Sequence, residues 1–180
     1  MKKLFVLMPL LLVAVACAPE PKEKLPDPDP EKTYYSVKLT PENSLITNDD
    51  TTTNYNVNLN SIEDETVQYT IEIGAPMYLS TKAHEFIMKP GSYLKSVSDF
   101  EVERLIVDFY GGKGVNFGVY ANAAGTGDAL EYHESDVTPE DPNDGGLVYE
   151  YAINGTEWCM KNITEYNKPG IYSLTVVFSK

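Results

Sequence analysis

At 180 residues with 42% apolar side chains, the chain is long enough for one buried core and too apolar to stay disordered. Its 14 basic residues stand against 27 acidic ones, a formal charge of −13, which excludes nucleic acid and anionic lipid headgroups as partners for the surface as a whole. Thirteen tyrosines and a single arginine, Arg104, are the unusual part of the composition.

Residues 1–17 read MKKLFVLMPLLLVAVAC. Lys2 and Lys3 precede an apolar run from Leu4 to Ala16 that, as a helix, spans roughly 20 Å and falls short of a bilayer's hydrocarbon core. The pattern is that of a cleaved signal peptide, residues 1–16, and not of a membrane span. Ala14-Val15-Ala16-Cys17 resembles the lipobox of bacterial lipoproteins, with Ala14 where that family usually carries Leu. The resemblance implies cleavage before Cys17 and acylation of its thiol, palmitate included; a plain secretory cut after Ala16 is the other reading. Loss of Lys2 and Lys3 with the leader takes the formal charge from −13 to about −15. Lipidation of Cys17 leaves Cys159 as the one remaining thiol, so no intramolecular disulfide is expected and Cys159 reads as a small buried apolar residue.

Residues 17–32 form the next unit. After Cys17 comes APEPKEKLPDPDPEK, with proline at 19, 21, 26, 28 and 30. Such spacing opposes both helix and ladder pairing and predicts an extended stand-off of roughly 45 Å. Ala18 occupies the position at which Asp favours inner-membrane retention in enteric lipoproteins. The resemblance therefore implies an outer-membrane lipoprotein, exposed at the cell surface in one version.

Residues 33–180 are expected to be one all-β domain, an antiparallel β-sandwich with jelly-roll-like character. Period-two alternation places Tyr35, Val37 and Leu39 on one face, then Tyr55, Val57 and Leu59, then Val67, Tyr69, Ile71 and Ile73. It continues through Leu105, Val107 and Phe109, through Phe117 and Val119, and through Leu147, Tyr149, Tyr151 and Ile153. The last strand is expected to bury Tyr172, Leu174, Val176 and Phe178. Weaker signals cover about 84–88, 93–97 and 157–163. No helical stripe and no repeat is evident.

One pairing can be set in register. If 101–110 and 116–121 form a hairpin around residues 111–115, Phe109 faces Phe117 and Val107 faces Val119, while a one-residue slip would oppose Phe117 to Asp108. The same register gathers Arg104, Asp108, Tyr110, Asn116 and Tyr120 on the outer face around a gap at Gly118. Flat rings beside amides and charges suit a sugar, whose apolar face stacks while its hydroxyls hydrogen-bond. These residues are thus candidate ligands for a glycan, the competing reading being tyrosines that merely fit a pleated surface. Trp158, the one tryptophan, is either a sixth candidate at the surface or a core residue.

The remaining chemistry is sparse. Residues 138–146 gather Asp141, Asn143 and Asp144 near turn residues without the full spacing of a calcium loop, and a solvated acidic loop is the simpler reading. His84 and His133 belong to no strong metal spacing, and no GxSxG elbow, P-loop or CxxC pair occurs. No cofactor, metal or catalytic group is expected, and the chain reads as a non-enzyme.

FEVERLIVDFYGGKGVNFGVYAN and NGTEWCMKNITEYNKPGIYSLTVVF, together with the lipobox and tether, resemble uncharacterised small surface lipoproteins of gut Gram-negative anaerobes. The resemblance covers mainly residues 88–180. Many lipoproteins of this layout belong to polysaccharide-capture systems, which implies an extracellular oligosaccharide or polysaccharide as partner by analogy. The leading expectation is therefore a lipid-anchored, non-catalytic carbohydrate-binding protein. The alternative is a structural or adhesive envelope lipoprotein, fimbrillin-like or bound to an envelope protein partner through a sheet edge.

Overall fold

Strand formation follows the alternation, because β-branched and aromatic residues on every second position fit a pleated, half-buried surface. The computed structural model describes residues 24–46, 53–80, 84–110, 116–141, 147–165 and 169–180. The leader and Cys17 lie outside the described residues, as do Asn143 and Asp144. In chain order the strands are β1 (Tyr34–Leu39), β2 (Tyr55–Asn60), β3 (Gln68–Gly74), β4 (Met77–Ser80), β5 (Glu85–Met88) and β6 (Tyr93–Ser96). They continue as β7 (Glu101–Phe109), β8 (Phe117–Tyr120), β9 (His133–Glu134), β10 (Leu147–Gly155), β11 (Cys159–Asn162) and β12 (Gly170–Ser179).

The strands form two antiparallel sheets. Sheet A runs β4-β5-β12-β7-β10-β9, with β1 also paired to β12, and sheet B runs β2-β3-β6-β11-β8. Their apolar faces meet in one core, so the chain is an all-β sandwich. From β6 onward the chain passes to the opposite sheet with β7, β8, β10, β11 and β12 in turn, β9 being a short addition to sheet A.

That crossing overturns the expected hairpin. β7 pairs with β10 and β12, whereas β8 pairs with β11 in the other sheet. Phe109 and Phe117 do meet, with ring centroids 5.0 Å apart, but across the core and not along a shared ladder. In β12 a bulge between Ile171 and Ser173 seats Ile171 in the core opposite Phe109, while Tyr172 is buried as expected but on the other face of the sheet, where it meets Tyr110 edge-on at 5.7 Å. Leu174, Val176 and Phe178 are buried as the alternation predicts.

At one end of the core, Phe178 packs on Tyr69 (4.9 Å between centroids), Phe100 (5.1 Å) and Tyr35 (5.9 Å). Trp158, wholly buried beside this cluster, donates its indole N–H to the Tyr69 hydroxyl at 2.9 Å. Burial pushes the Tyr69 phenol up to about 12, more than its hydrogen bonds lower it, and Tyr55 is raised to about 12 by burial as well. A raised folded value means that their stabilising contribution is complete below pH 10 and lost as pH climbs through about 12. The urea midpoint should therefore hold up to about pH 10 and decline steeply above it, and Tyr69→Phe should flatten that decline.

Both broad outer faces begin polar, but sheet A's is partly covered. Residues 24–32 lie against it: Lys24 pairs with Asp136, Arg104 donates to the Pro26 carbonyl at 2.7 Å, and Lys32 pairs with Glu101 at 3.1 Å. The expected free stand-off is thus a strap from Lys24 onward, held by its backbone and its ends. The free edge of β1 is closed by Glu63, which accepts from the Ser36 backbone and hydroxyl and from Ser61.

Candidate functional site

The residues expected to form a single glycan platform are divided between opposite faces. Arg104 and Asp108 point outward from sheet A and are 8% and 5% exposed. Arg104 donates from Nη1 to Glu150 at 3.0 Å, and Glu150 in turn accepts from the Ser135 hydroxyl at 2.6 Å. Asp108 accepts the Glu140 backbone N–H at 2.6 Å. Both groups therefore pin the strap and the 135–141 loop onto the sheet. Tyr110 ends beside Tyr172, and the Asn116 carbonyl accepts from the Ile163 backbone N–H at 3.1 Å. Tyr120 lies on the outer face of sheet B, on the far side of the sandwich from Arg104.

Two further expectations change. Gly118 leaves no gap, because the Tyr120 ring and Ile163 lie so close that a Cβ there would collide with both. Trp158 is a core residue and offers no ring to solvent. Cys159 is buried, as its lone status suggested, under the 122–127 loop, where a Cβ on Gly125 would crowd its sulfur. Burial raises its thiol above the ordinary value.

A cavity of about 320 Å³ opens beside Tyr172, lined by Thr40, Pro41, Glu42, His84, Glu140 and Asp141. Glu140 is paired there with Lys38. Among the described residues no group of three or more His, Cys, Asp or Glu stands close enough to hold a metal ion; Asn143 and Asp144 lie outside them.

Sheet B presents the more developed surface. One transverse row across its outer face reads Asn56, Glu72, Lys95, Cys159 and Tyr120, and the next reads Gly74, Tyr93, Lys161 and Gly118. The Tyr93 ring lies flat over Gly74, since a Cβ at that glycine would overlap the ring itself. At the opposite side the edge of the Tyr120 ring covers Gly118, two residues earlier on the same strand. A glycine paired with a cross-strand aromatic lets a ring recline on the sheet where any larger residue would lift it.

Hydrogen bonds fix Tyr93 in this pose. Its hydroxyl donates to Glu72 Oε1 at 2.5 Å and accepts from Asn54 Nδ2 at 2.8 Å, while Asn54 Oδ1 accepts the Ala75 N–H at 3.0 Å. Burial alone would raise the Glu72 carboxyl, but the bonds from Tyr93 and Lys95 outweigh it and hold the group below its ordinary value. The Tyr93 phenol is pushed up to about 12, first by burial and then by the carboxylate it serves. At neutral pH the pair is therefore a neutral phenol donating to an ionised carboxylate.

Around this ring the face is rich in amides and hydroxyls. Thr70 donates to Asn58 at 2.8 Å and Gln68 to Asn60 at 2.9 Å, which ties the exposed side chains of β2 and β3 together. A hollow of about 340 Å³ is lined by Asn54, Tyr55, Asn56 and Glu72. Compared with protein-family models, with curated proteins and with solved structures, the chain matches none.

Of the expected site residues, Tyr120 lies on this face, and Asn116 immediately precedes its strand. Asn54, Glu72, Tyr93 and Lys95 were not foreseen. The signal that could have found them is Gly74 closing a strongly alternating strand, with Tyr93 opening the weak strand signal at 93–97.

Proposed function

We propose that the chain is a lipid-anchored, non-catalytic binding protein of the cell envelope that takes carbohydrate on the outer face of sheet B. The observation that carries the reading is Tyr93, held flat over Gly74 with its hydroxyl fixed between Asn54 and Glu72. A sugar needs a flat apolar surface for its C–H face and convergent donors and acceptors for its hydroxyls. Tyr93 supplies the first, and Asn54, Asn56 and Glu72 around the adjoining hollow supply the second. Fixing the groups beforehand lowers the ordering cost of binding. The leader and Cys17 support attachment to the membrane by lipid, with the outer membrane as the site and its external side as the working position. The strand-by-strand passage between sheets favours a jelly-roll winding.

The test is a glycan array on the mature chain, followed by titration of the hits against Tyr93→Ala. The expected result is a loss of roughly two- to tenfold in affinity with the melting temperature little changed, in keeping with about 0.5–1.5 kcal/mol for an aromatic contact beyond its area. Unchanged affinity in a folded variant would remove this face from consideration. One observation favours the alternative of a partner-binding envelope protein: among the described residues β2 is paired on one side only, leaving an edge that could accept a strand. A stable assembly without affinity for any sugar would support that alternative.

A further inference from the structure

We infer that the sugar taken by this face is an anionic oligosaccharide, carrying a carboxylate or sulfate that Lys161 receives on the β8 side of Tyr93; the inference rests on the carbohydrate reading above. Acids outnumber bases by 27 to 14 in the whole chain. Across the two central rows of sheet B the balance reverses, with Lys95 and Lys161 against Glu72. The two lysines stand diagonally on neighbouring strands, since Cys159 is opposite Lys95 and Lys161 is opposite Tyr93.

Each ammonium is held over a ring, Lys95 at 5.2 Å from the Tyr93 centroid and Lys161 at 4.8 Å from that of Tyr120. Lys95 also pairs with Glu72 at 3.1 Å. The described contacts of Lys161 are different in kind: the Gly125 carbonyl and the Tyr120 ring, both neutral. Among the described residues its charge is thus positioned without an acid paired to it.

Directly opposed side chains on antiparallel strands have Cβ atoms about 4.5–5.5 Å apart. Tyr93 and Lys161 are such a pair. Their ends diverge, the Tyr93 ring leaning over Gly74 of β3 and the Lys161 ammonium over Tyr120 of β8, so a saccharide of several units laid across the strands from Tyr93 is what brings an acidic group to the Lys161 ammonium. A neutral hydroxyl gains little from a fixed cation, while a carboxylate or sulfate gains a charge-assisted hydrogen bond. The net negative charge of the chain repels anionic polymers overall, so the local reversal on this face favours approach there.

The experiment uses the intact mature chain and two matched pairs of probes. One is a uronic-acid oligosaccharide with its carboxyl-reduced counterpart, and the other a sulfated oligosaccharide of neutral backbone with its desulfated counterpart. The expected result is at least tenfold tighter binding of one anionic member than of its neutral match, weakening as salt rises; which pair responds identifies carboxylate or sulfate. Lys161→Gln should erase the preference while keeping the neutral affinity, and Lys161→Arg should retain it. Equal affinities within both pairs, or a preference that survives Lys161→Gln combined with Lys95→Gln, would overturn the inference. If neutral sugars bind and Tyr93→Ala abolishes that binding, the carbohydrate reading stands and the charge preference alone falls. If no saccharide binds, both fall.

Discussion

Replacing Trp158 with Ala should destabilise the sandwich by about 3–5 kcal/mol and lower Tm by roughly 10 °C or more. The indole is wholly buried between the sheets, so its removal leaves a void that the two hydrogen-bonded layers can close only in part. Its main chain is also fixed, the Trp158 N–H donating to the Ser96 hydroxyl at 3.1 Å and the Ser96 N–H donating to the Trp158 carbonyl at 3.1 Å. That double tie joins the approach to β11 with β6 and prevents the backbone from sinking into the space. Tyr69→Phe is the informative companion. It keeps the ring contacts with Phe178 and Phe100 but strands the indole N–H, which should cost about 1–3 kcal/mol. Urea unfolding of both variants checks the pair, and a loss below about 1 kcal/mol for Trp158→Ala would show that the site collapses freely.

Arg104→Met should cost about 3–5 kcal/mol, the penalty for leaving Glu150 buried without its cation. The side chains of Arg104 and Glu150 are 10% and 7% exposed, so water cannot make up the loss. Arg104 also holds the Pro26 carbonyl, and its loss should release residues 24–32. Limited trypsin digestion then cuts at Lys24 and Lys32 sooner than in the parent chain, an effect that simple core destabilisation does not single out. Adding Glu150→Gln should recover much of the stability, since the buried charge is gone, but leave the strap exposed to trypsin. If the double variant is no more stable than Arg104→Met, the buried carboxylate is not the source of the cost. Arg104→Lys is expected to be a poor substitute, because a single ammonium cannot span Glu150 and Pro26 as the planar guanidinium does.

The class of fold could be read from the chain because alternation reports burial directly. Val37 and Leu39, then Tyr69, Ile71 and Ile73, then Leu105, Val107 and Phe109 all face the core as their spacing predicts. Alternation says nothing of which strand lies next to which. Phe109 and Phe117 both point inward, and that is equally true of neighbours in one sheet and of residues facing each other from two sheets. The glycan platform around Arg104 and Tyr120 was built on the first possibility and disappears with it.

Bulges were the second obstacle. The extra residue at Ile171–Ser173 shifts the alternation, so Tyr172, though buried, lies on the opposite face of the sheet from Leu174, Val176 and Phe178. The strap was hidden for another reason. A carbonyl at Pro26 and ion pairs at Lys24 and Lys32 hold it, and none of these leaves a periodic mark in the sequence. Tyr93 belonged to a weak strand signal, and only its pairing with Gly74 gives it a role.

The strap has a mechanical consequence. It is fastened to sheet A, and only residues 18–23 separate Lys24 from Cys17, a reach of no more than about 25 Å even when taut. Under the proposed anchoring, the lipid therefore pulls on one flank of the molecule, well to the side of its centre. The domain would hang like a shield on a short arm, its strapped back toward the bilayer and its tyrosine-bearing front toward the medium.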